Sequence, residues 1–332
     1  EYYRVNRMTD YEELLRACGY FTHKYGKIDR IDSLNEYWLS TEARLRDDFN
    51  VYGLKTSDLP AVRHKSEMKK RFQEAGIPVT PDRVVESLAD ARKLVKQIGY
   101  PVVAKPDAGV GAHHTYRLDN DKDLVRFFER RPDVDCIMEG FVCGQIHSFD
   151  GLADKNGKPV FLTSHVFSQG IMETVNEGQH LSYYSVRRIP AALHRQGMKC
   201  LEVFDVRERF FHIEFFKTDK DEFTALEINM RPPGGFTTEM FNYACDIDIY
   251  RVWAELLVRG NNQLDFERRY FCGYASRKEN IRYLHSHEEI IERYGADICQ
   301  VNQIPVVFSG ALGELGYIFR TEKTNRLQEI IR

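Results

Sequence analysis

The stretch Leu226-Glu227-Ile228-Asn229-Met230-Arg231-Pro232-Pro233-Gly234-Gly235 is the one from which the rest of the chain can be read. Successive side chains of a strand point to opposite faces, so Glu227, Asn229 and Arg231 share one face while Leu226, Ile228 and Met230 share the other. The apolar face can pack on a core. The polar face then presents a carboxylate, an amide oxygen and a guanidinium in a row. Oxygen donors of this kind suit Mg²⁺, which is commonly held by one or two carboxylates plus substrate phosphates. A merely solvated hairpin has no reason to end its polar row in Arg-Pro-Pro-Gly-Gly.

Working outward, 209–218 and 222–230 read as strands joined by the charged turn Asp219-Lys220-Asp221. Folding the first strand back on the second brings Glu214 beside Glu227. Two carboxylates so placed repel each other unless a cation lies between them. Further upstream, Tyr100-Pro101-Val102-Val103-Ala104-Lys105 reads as a short strand from its β-branched content. It leads into 107–114, where Gly109 and Gly111 would let backbone N–H groups surround phosphate oxygens. This loop is not a Walker P-loop, since no Gly-Lys-Ser/Thr follows, and it lacks the third glycine of a dinucleotide fingerprint. By itself it is equally an ordinary glycine-containing hairpin, and Lys65 by itself is an ordinary solvated lysine.

The remaining pattern is α+β. A helix opens at His64-Lys65-Ser66 and is stopped by Gly76 and Pro78; another runs from an N-cap at Ser87 to Gly99. Helical periodicity also marks 11–18, 36–49, 120–131, 190–204, 236–246, 248–259 and 286–294. A strand is expected at 136–139. Asn156-Gly157 predicts a hairpin between 145–154 and 158–167, because both turn residues tolerate positive φ. A closing hairpin carries Gly310, Gly313 and Gly316. The mixture predicts α+β lobes wrapped around antiparallel sheets, not a regular run of βαβ units.

Composition narrows the function classes. A chain of 332 residues can bury a large core and divide into two or three lobes. A net charge of -3, with no long basic stretch, gives no reason to expect a nucleic-acid partner. No apolar run approaches the length of a membrane span. Glu1-Tyr2-Tyr3-Arg4 lacks the apolar core of a signal peptide. The seven cysteines are scattered without a CxxC pair, which reads as reduced thiols in a cytoplasmic protein.

In order and spacing these segments resemble the ATP-grasp superfamily, from about Lys65 to Gly235. In that family a lysine eleven residues before a Gly-φ-Pro helix end contacts phosphate, which falls on Lys65 before Gly76-Ile77-Pro78. A second lysine closes a strand before a glycine-rich lid, which falls on Lys105 and the loop with Gly109 and Gly111. A hinge whose backbone reads adenine falls on Glu139, Phe141 and Val142. Two glutamates and an asparagine hold Mg²⁺, matching Glu214, Glu227 and Asn229, with Arg231 at the reacting phosphate. One departure stands in Gly144-Gln145-Ile146-His147-Ser148-Phe149-Asp150: Ile146 occupies the place of a ribose-binding glutamate, leaving Gln145, His147 or another residue for that task.

The resemblance implies an ATP-grasp fold with two α+β lobes clasping ATP, preceded by a partial Rossmann-like lobe. The expected division is 1–62 for the remainder of that lobe, 63–140 for the small lobe with its lid, and 141–332 for the large lobe with a C-terminal extension. It implies ATP and two Mg²⁺ ions as cofactors. The implied reaction is ADP-forming: a substrate carboxylate becomes an acyl phosphate and is joined to an amine. The Asn-Met-Arg-Pro-Pro-Gly-Gly ending is closer to amino-acid and dipeptide ligases than to biotin carboxylases. A biotin-carboxylase-like enzyme and a non-catalytic nucleotide-binding scaffold are the alternatives. Expected partners are a small-molecule carboxylate and an amine, without nucleic acid or membrane, and a homodimer is compatible with the reading. Glu173, His180, Tyr183, Tyr184, Arg187 and Arg188 are candidates for lining the substrate pocket.

Overall fold

The computed structural model describes residues 1–109, 114–168, 178–260 and 264–331. Gly111 and Glu173 lie outside the described residues. Helices α1 (Tyr11–Tyr25), α2 (Leu39–Asp48) and α3 (Leu59–Arg63) fill the N-terminal segment, with 3₁₀ turns at Glu36–Trp38 and Thr56–Asp58. Residues 1–62 contain no strand, so the expected partial Rossmann-like lobe is absent from them. Their connections are turn-rich, around Gly26, Asn50 and Gly53, and offer no β-branched run of strand length. What is present is helical and is packed on the large sheet. Leu39 and Val62 share a core cluster with Ile213, Ile228 and Met230. Glu42 is buried between Arg46 (2.5 Å) and Arg209 (3.3 Å).

Two sheets organise the rest, and every ladder within them is antiparallel. The small sheet has the order β1-β4-β2-β3, from β1 (Asp82–Val84), β2 (Val102–Pro106), β3 (Tyr116–Leu118) and β4 (Cys136–Gly140). It is backed by α5 (Leu88–Ile98) and α6 (Asp121–Arg130), which bury Leu94, Leu124 and Phe127 against Val102, Ala104 and Met138. Ser87 caps α5 as expected, its hydroxyl accepting from Asp90 N–H at 3.2 Å. Between the sheets runs α4 (Lys65–Glu74), whose Met68 and Phe72 pack into the core cluster of the large sheet.

The large sheet, among the described residues, has the order β10-β9-β5-β7-β8-β11-β13-β12, with β6 (Pro159–Thr163) paired to β5 at the side. Its strands are β5 (Gln145–Ala153), β7 (His165–Phe167), β8 (Ser182–Ser185), β9 (Arg209–Lys217), β10 (Phe223–Asn229), β11 (Phe271–Arg277), β12 (Ile298–Gln303) and β13 (Leu315–Thr321). One face packs on the helix Ala191–Val203 and on α4; the other packs, at its far end, on Thr237–Cys245 and Ile249–Arg259. Sequence and structure differ at two turns. Only Gly157 takes positive φ in the β5–β6 turn, because Asp154 Oδ1 accepts from both Asn156 N–H (2.8 Å) and Lys158 N–H (2.9 Å) and shapes the loop itself. The expected glycine-rich closing hairpin instead carries a short helix, Val306–Leu312, between β12 and β13. Gly310 sits within that helix and Gly313 ends it at φ +75°. Among the described residues no helix is long and apolar enough to cross a membrane.

Candidate functional site

The β9–β10 hairpin forms as expected, Thr218 N–H closing on Glu222 C=O at 2.9 Å. Its register is not the simple alternation expected, however. Ala225 pairs with Phe215 and Glu227 with Glu214, so Leu226 is an extra, bulged residue. Without it, the face holding Phe223 and Ala225 would also hold Glu227. With it, Phe223, Ala225, Ile228 and Met230 all enter one core cluster, while Glu227 and Asn229 turn to the opposite face. A bulge beside a site re-aims side chains in this way. Leu226, assigned from alternation to the core face, is half-buried outside that cluster.

The register of three strands then lays out two rows on one face. Ser148, Glu214 and Glu227 are opposite one another across β5, β9 and β10; Asp150, His212 and Asn229 form the next row. Glu227 is held ionised: burial pushes its pKa up, but Lys65 and Lys105 bring it below the ordinary value. Asn229 Nδ2 donates to Glu227 Oε1 (3.2 Å), and its Oδ1 accepts from Arg231 (3.4 Å). Directly opposed strand residues have Cβ atoms about 5 Å apart, close enough for one cation to serve both glutamates. Among the described residues no three His, Cys, Asp or Glu side chains form a metal cage. Two carboxylates and an amide oxygen are hard donors, and so few of them fit a cation that also takes phosphate oxygens, as Mg²⁺ does.

The second row contains residues that sequence reading did not single out. Asp150 is fully buried and accepts from Ser148 Oγ–H, from His165 (Nδ1, 2.8 Å) and from His212 (Nδ1, 2.6 Å). The other nitrogen of His212 lies 3.1 Å from Glu214 Oε1. An imidazole between two carboxylates donates from both nitrogens and is cationic. Burial opposes that charge, but Asp150 overrides it and raises the pKa to about 10. His-x-Glu on a strand facing Ser-x-Asp was the available signal, and it needed the register to be read. His147, considered for the ribose, lies on the other face: its ring meets Phe223 edge-on and both nitrogens are buried without partners.

At the small sheet, Asp107 brings the lysines together. Helix α4 has no side-chain cap of its own. Asp107 supplies one from the far side of β2: Oδ1 accepts from Ser66 N–H (2.8 Å) and Oδ2 from Ser66 Oγ–H (2.9 Å). Its carbonyl accepts from Lys65 N–H at 2.8 Å. Lys65 Nζ reaches the carbonyl of Gly109 at 3.4 Å, and the pKa of Lys65 is lowered chiefly by burial. Lys105 forms a buried ion pair with Glu139, which a third lysine, Lys69, shares. Burial pushes the Glu139 pKa up, but Lys105 and Lys69 outweigh it and bring it down to about 2. Lys69 also donates to Thr80 Oγ1 (2.5 Å) and was not singled out from sequence. In the hinge, Phe141 N–H is taken by the carbonyl of Pro101 at 3.1 Å, and the Phe141 ring lies under Arg117 (4.4 Å to the centroid).

Opposed carboxylates on a wide antiparallel sheet, facing buried lysines on a small four-stranded one, decide the fold class. Comparison agrees. Residues 64–161 match the family described as carbamoyl-phosphate synthase L chain, ATP binding domain. The L-amino acid ligase of Bacillus licheniformis superposes over 99% of this chain and 84% of its own, with a TM-score of 0.75 at 14% identity. The chain has the ATP-grasp fold. The N5-carboxyaminoimidazole synthetase of Staphylococcus aureus, solved with ADP, covers 98% of this chain and 83% of its own at a TM-score of 0.74 and 16% identity. In sequence, the L-arginine-specific L-amino acid ligase of Bacillus subtilis is 24% identical over 243 residues, 68% of this chain and 57% of the relative. This chain thus spans little more than half the length of that relative.

Arg187 and Arg188 do not join the site. Tyr183, whose hydroxyl meets Thr237 Oγ1 at 3.0 Å, and Tyr184 point to opposite faces of β8, and Arg187 and Arg188 line a cavity with Tyr184, Phe271 and Leu327. Arg187 is also committed to the carbonyls of Arg268 and Glu322, both at 3.3 Å.

Proposed function

We propose that this chain is an ADP-forming, ATP-dependent carboxylate–amine ligase, with an amino acid among its substrates. The observation that carries the reading is the pairing of buried Glu214 with half-buried Glu227 opposite the buried Lys65 and Lys105, charges of opposite sign that a Mg²⁺-bound polyphosphate complements. In this reading 63–140 and 141–332 are the lobes that close on the nucleotide. Glu214, Glu227 and Asn229 hold Mg²⁺, which neutralises phosphate charge when bound. Lys65 and Lys105 bind phosphate oxygens, the loop with Gly109 and Gly111 covers them, and the Glu139–Val142 hinge receives the base.

The protein's part in phosphoryl transfer is positioning and charge neutralisation. Arg231 Nη1 rests on the carbonyl of Pro232 (2.8 Å) and Nη2 on Asn229 Oδ1 (3.4 Å), which fixes the guanidinium beside Asn229 with further N–H groups for the transferring phosphoryl group. It also stabilises the oxyanion formed when an amine attacks the acyl phosphate. The amino-acid assignment follows the likeness to the two Bacillus L-amino acid ligases.

Phosphate release from Mg-ATP, screened against single amino acids, amino-acid pairs, and bicarbonate with biotin, tests the reading. Release that requires an amino acid is expected. Release with bicarbonate and biotin alone would replace it with a carboxylase.

A further inference from the structure

Glu36 opens the 3₁₀ turn Glu36–Trp38 in the N-terminal segment. Asn35 fixes that turn, its Oδ1 accepting from Tyr37 N–H at 2.9 Å. Three residues after Glu36, Leu39 anchors the segment in the core cluster that holds Ile228 and Met230. The Glu36 carboxylate is thereby delivered to the end of β10. It is only 8% exposed, and its Oε2 is buried without a hydrogen-bond donor. Among the described residues it is the one carboxylate oxygen in that condition. The nearest cation is Arg231, whose Nε lies 3.8 Å away, too far for a hydrogen bond. Arg231 directs its other nitrogens to Pro232 C=O and Asn229 Oδ1.

A buried acceptor left without a donor is uncommon and calls for an explanation, a ligand's N–H among them. The chemistry of that donor follows from the surroundings. Burial disfavours the Glu36 charge, Arg231 and Arg63 favour it, and Glu227 repels it. A cationic donor restores what burial removes, and a primary ammonium, with three N–H groups and no acceptor, suits one bare carboxylate oxygen. Beside it, Arg231 is the complementary group for a carboxylate. The two protein charges, of opposite sign and about one side-chain contact apart, mirror an α-amino acid, whose ammonium and carboxylate are separated by one carbon.

We propose that Glu36 binds the α-ammonium group of the amino acid whose carboxylate is activated, with Arg231 and the metal end of the site on the carboxylate. The inference rests on the ligase reading and adds a specificity-determining residue from outside the two lobes. Holding that nitrogen as an ammonium also removes its lone pair, so the activated amino acid does not serve as its own nucleophile.

The test uses hydroxylamine as a common nucleophile, so that hydroxamate reports carboxylate activation alone. The twenty L-amino acids and their des-amino analogues are each supplied with Mg-ATP to the wild-type chain and to Glu36→Gln. The wild type is expected to form hydroxamate from at least one amino acid and to favour it over its des-amino analogue. Loss of a charged hydrogen bond in Glu36→Gln should lower kcat/KM for that amino acid by about 10- to 100-fold. The analogue, which has no ammonium, should change by less than about 3-fold, on the scale of a surface substitution. An equal fall for both would make Glu36 a positioning residue for Arg231 and overturn the proposal. So would a wild type that uses the des-amino acid equally well, a comparison that needs no variant. Carboxylates other than amino acids giving the only hydroxamate would also overturn it while sparing the ligase reading. No nucleotide-dependent hydroxamate from any carboxylate would sink both.

Discussion

At its carboxylate end the site is drawn from neighbouring strands. Glu214 and Glu227 sit across one hairpin, His212 and Asn229 lie two residues along, and β5 adds Asp150. At its lysine end the groups come from separate elements. Lys65 and Lys69 come from α4 and Lys105 from β2, and they meet because Asp107 caps the helix while Glu139 collects two of the ammonium groups. The first end is a pattern of backbone register, so a change in register destroys it and a change in side chain alters only its chemistry. The second is held by side chains, so single substitutions there disturb structure as well as binding. Variants can be chosen to break that contrast.

The largest effect is expected in chemistry at the carboxylate end. Glu227→Gln keeps size and hydrogen bonding but removes a ligand charge, and should lower turnover by about 10³-fold, the upper range for one preorganised electrostatic group. Its melting temperature should stay within a few degrees of wild type by calorimetry. A large drop in stability instead would blur the contrast.

At the lysine end the order reverses. Glu139→Gln leaves Lys69 and Lys105 buried without their counter-charge and should destabilise the chain by about 3–5 kcal/mol in denaturant titration. Acid should have a related effect on the wild type. The folded pKa of Glu139 lies below its ordinary 4.5, at about 2. Its contribution is therefore complete above 4.5 and is lost as pH falls toward 2, since the unfolded chain takes up the proton first. That window amounts to about 3 kcal/mol. Stability curves of wild type and Glu139→Gln should converge across it; parallel curves would show that Glu139 is not the titrating group.

Asp107→Ala removes both the helix cap and the tie between α4 and β2. A cost of about 1–2 kcal/mol is expected from the cap alone, together with weaker nucleotide binding as Lys65 loses its register with Lys105. Unchanged affinity would mean that α4 is positioned by its core contacts through Met68 and Phe72. The smallest effect belongs to Leu226. As the bulged residue outside the core cluster, its replacement by Ala should cost about 1 kcal/mol, well below the 2–5 kcal/mol of a buried core residue. A cost in that higher range would show that Leu226 packs as the unbulged alternation requires.

The same contrast explains what could be read from sequence. The hairpin at Asp219–Asp221, the cap at Ser87 and the helix end at Gly76 are local signals, and they appear where they were expected. The polar face of β10 was also legible, but its geometry was not: alternation alone put Leu226 in the core, and the bulge that aims Glu227 leaves no mark in residue type. Asp107 was only a neighbour of Lys105 until the fold placed it under Ser66. Asp150, His165 and His212 are ordinary strand residues until three strands align them. Glu36 belongs to a segment expected to be part of a Rossmann-like lobe, and its role depends on that segment being helical and packed beside β10. Residues whose meaning depends on pairing across distant strands carry no periodic signal, whatever their chemistry.

The two ends together are expected to form one Mg²⁺-dependent nucleotide site. Isothermal titration of ADP into wild type and Glu227→Gln, with and without Mg²⁺, tests it most directly. Mg²⁺ should tighten ADP binding to the wild type. In Glu227→Gln that gain should disappear while metal-free binding through Lys65 and Lys105 persists. A variant that binds Mg-ADP as tightly as the wild type would contradict the assignment.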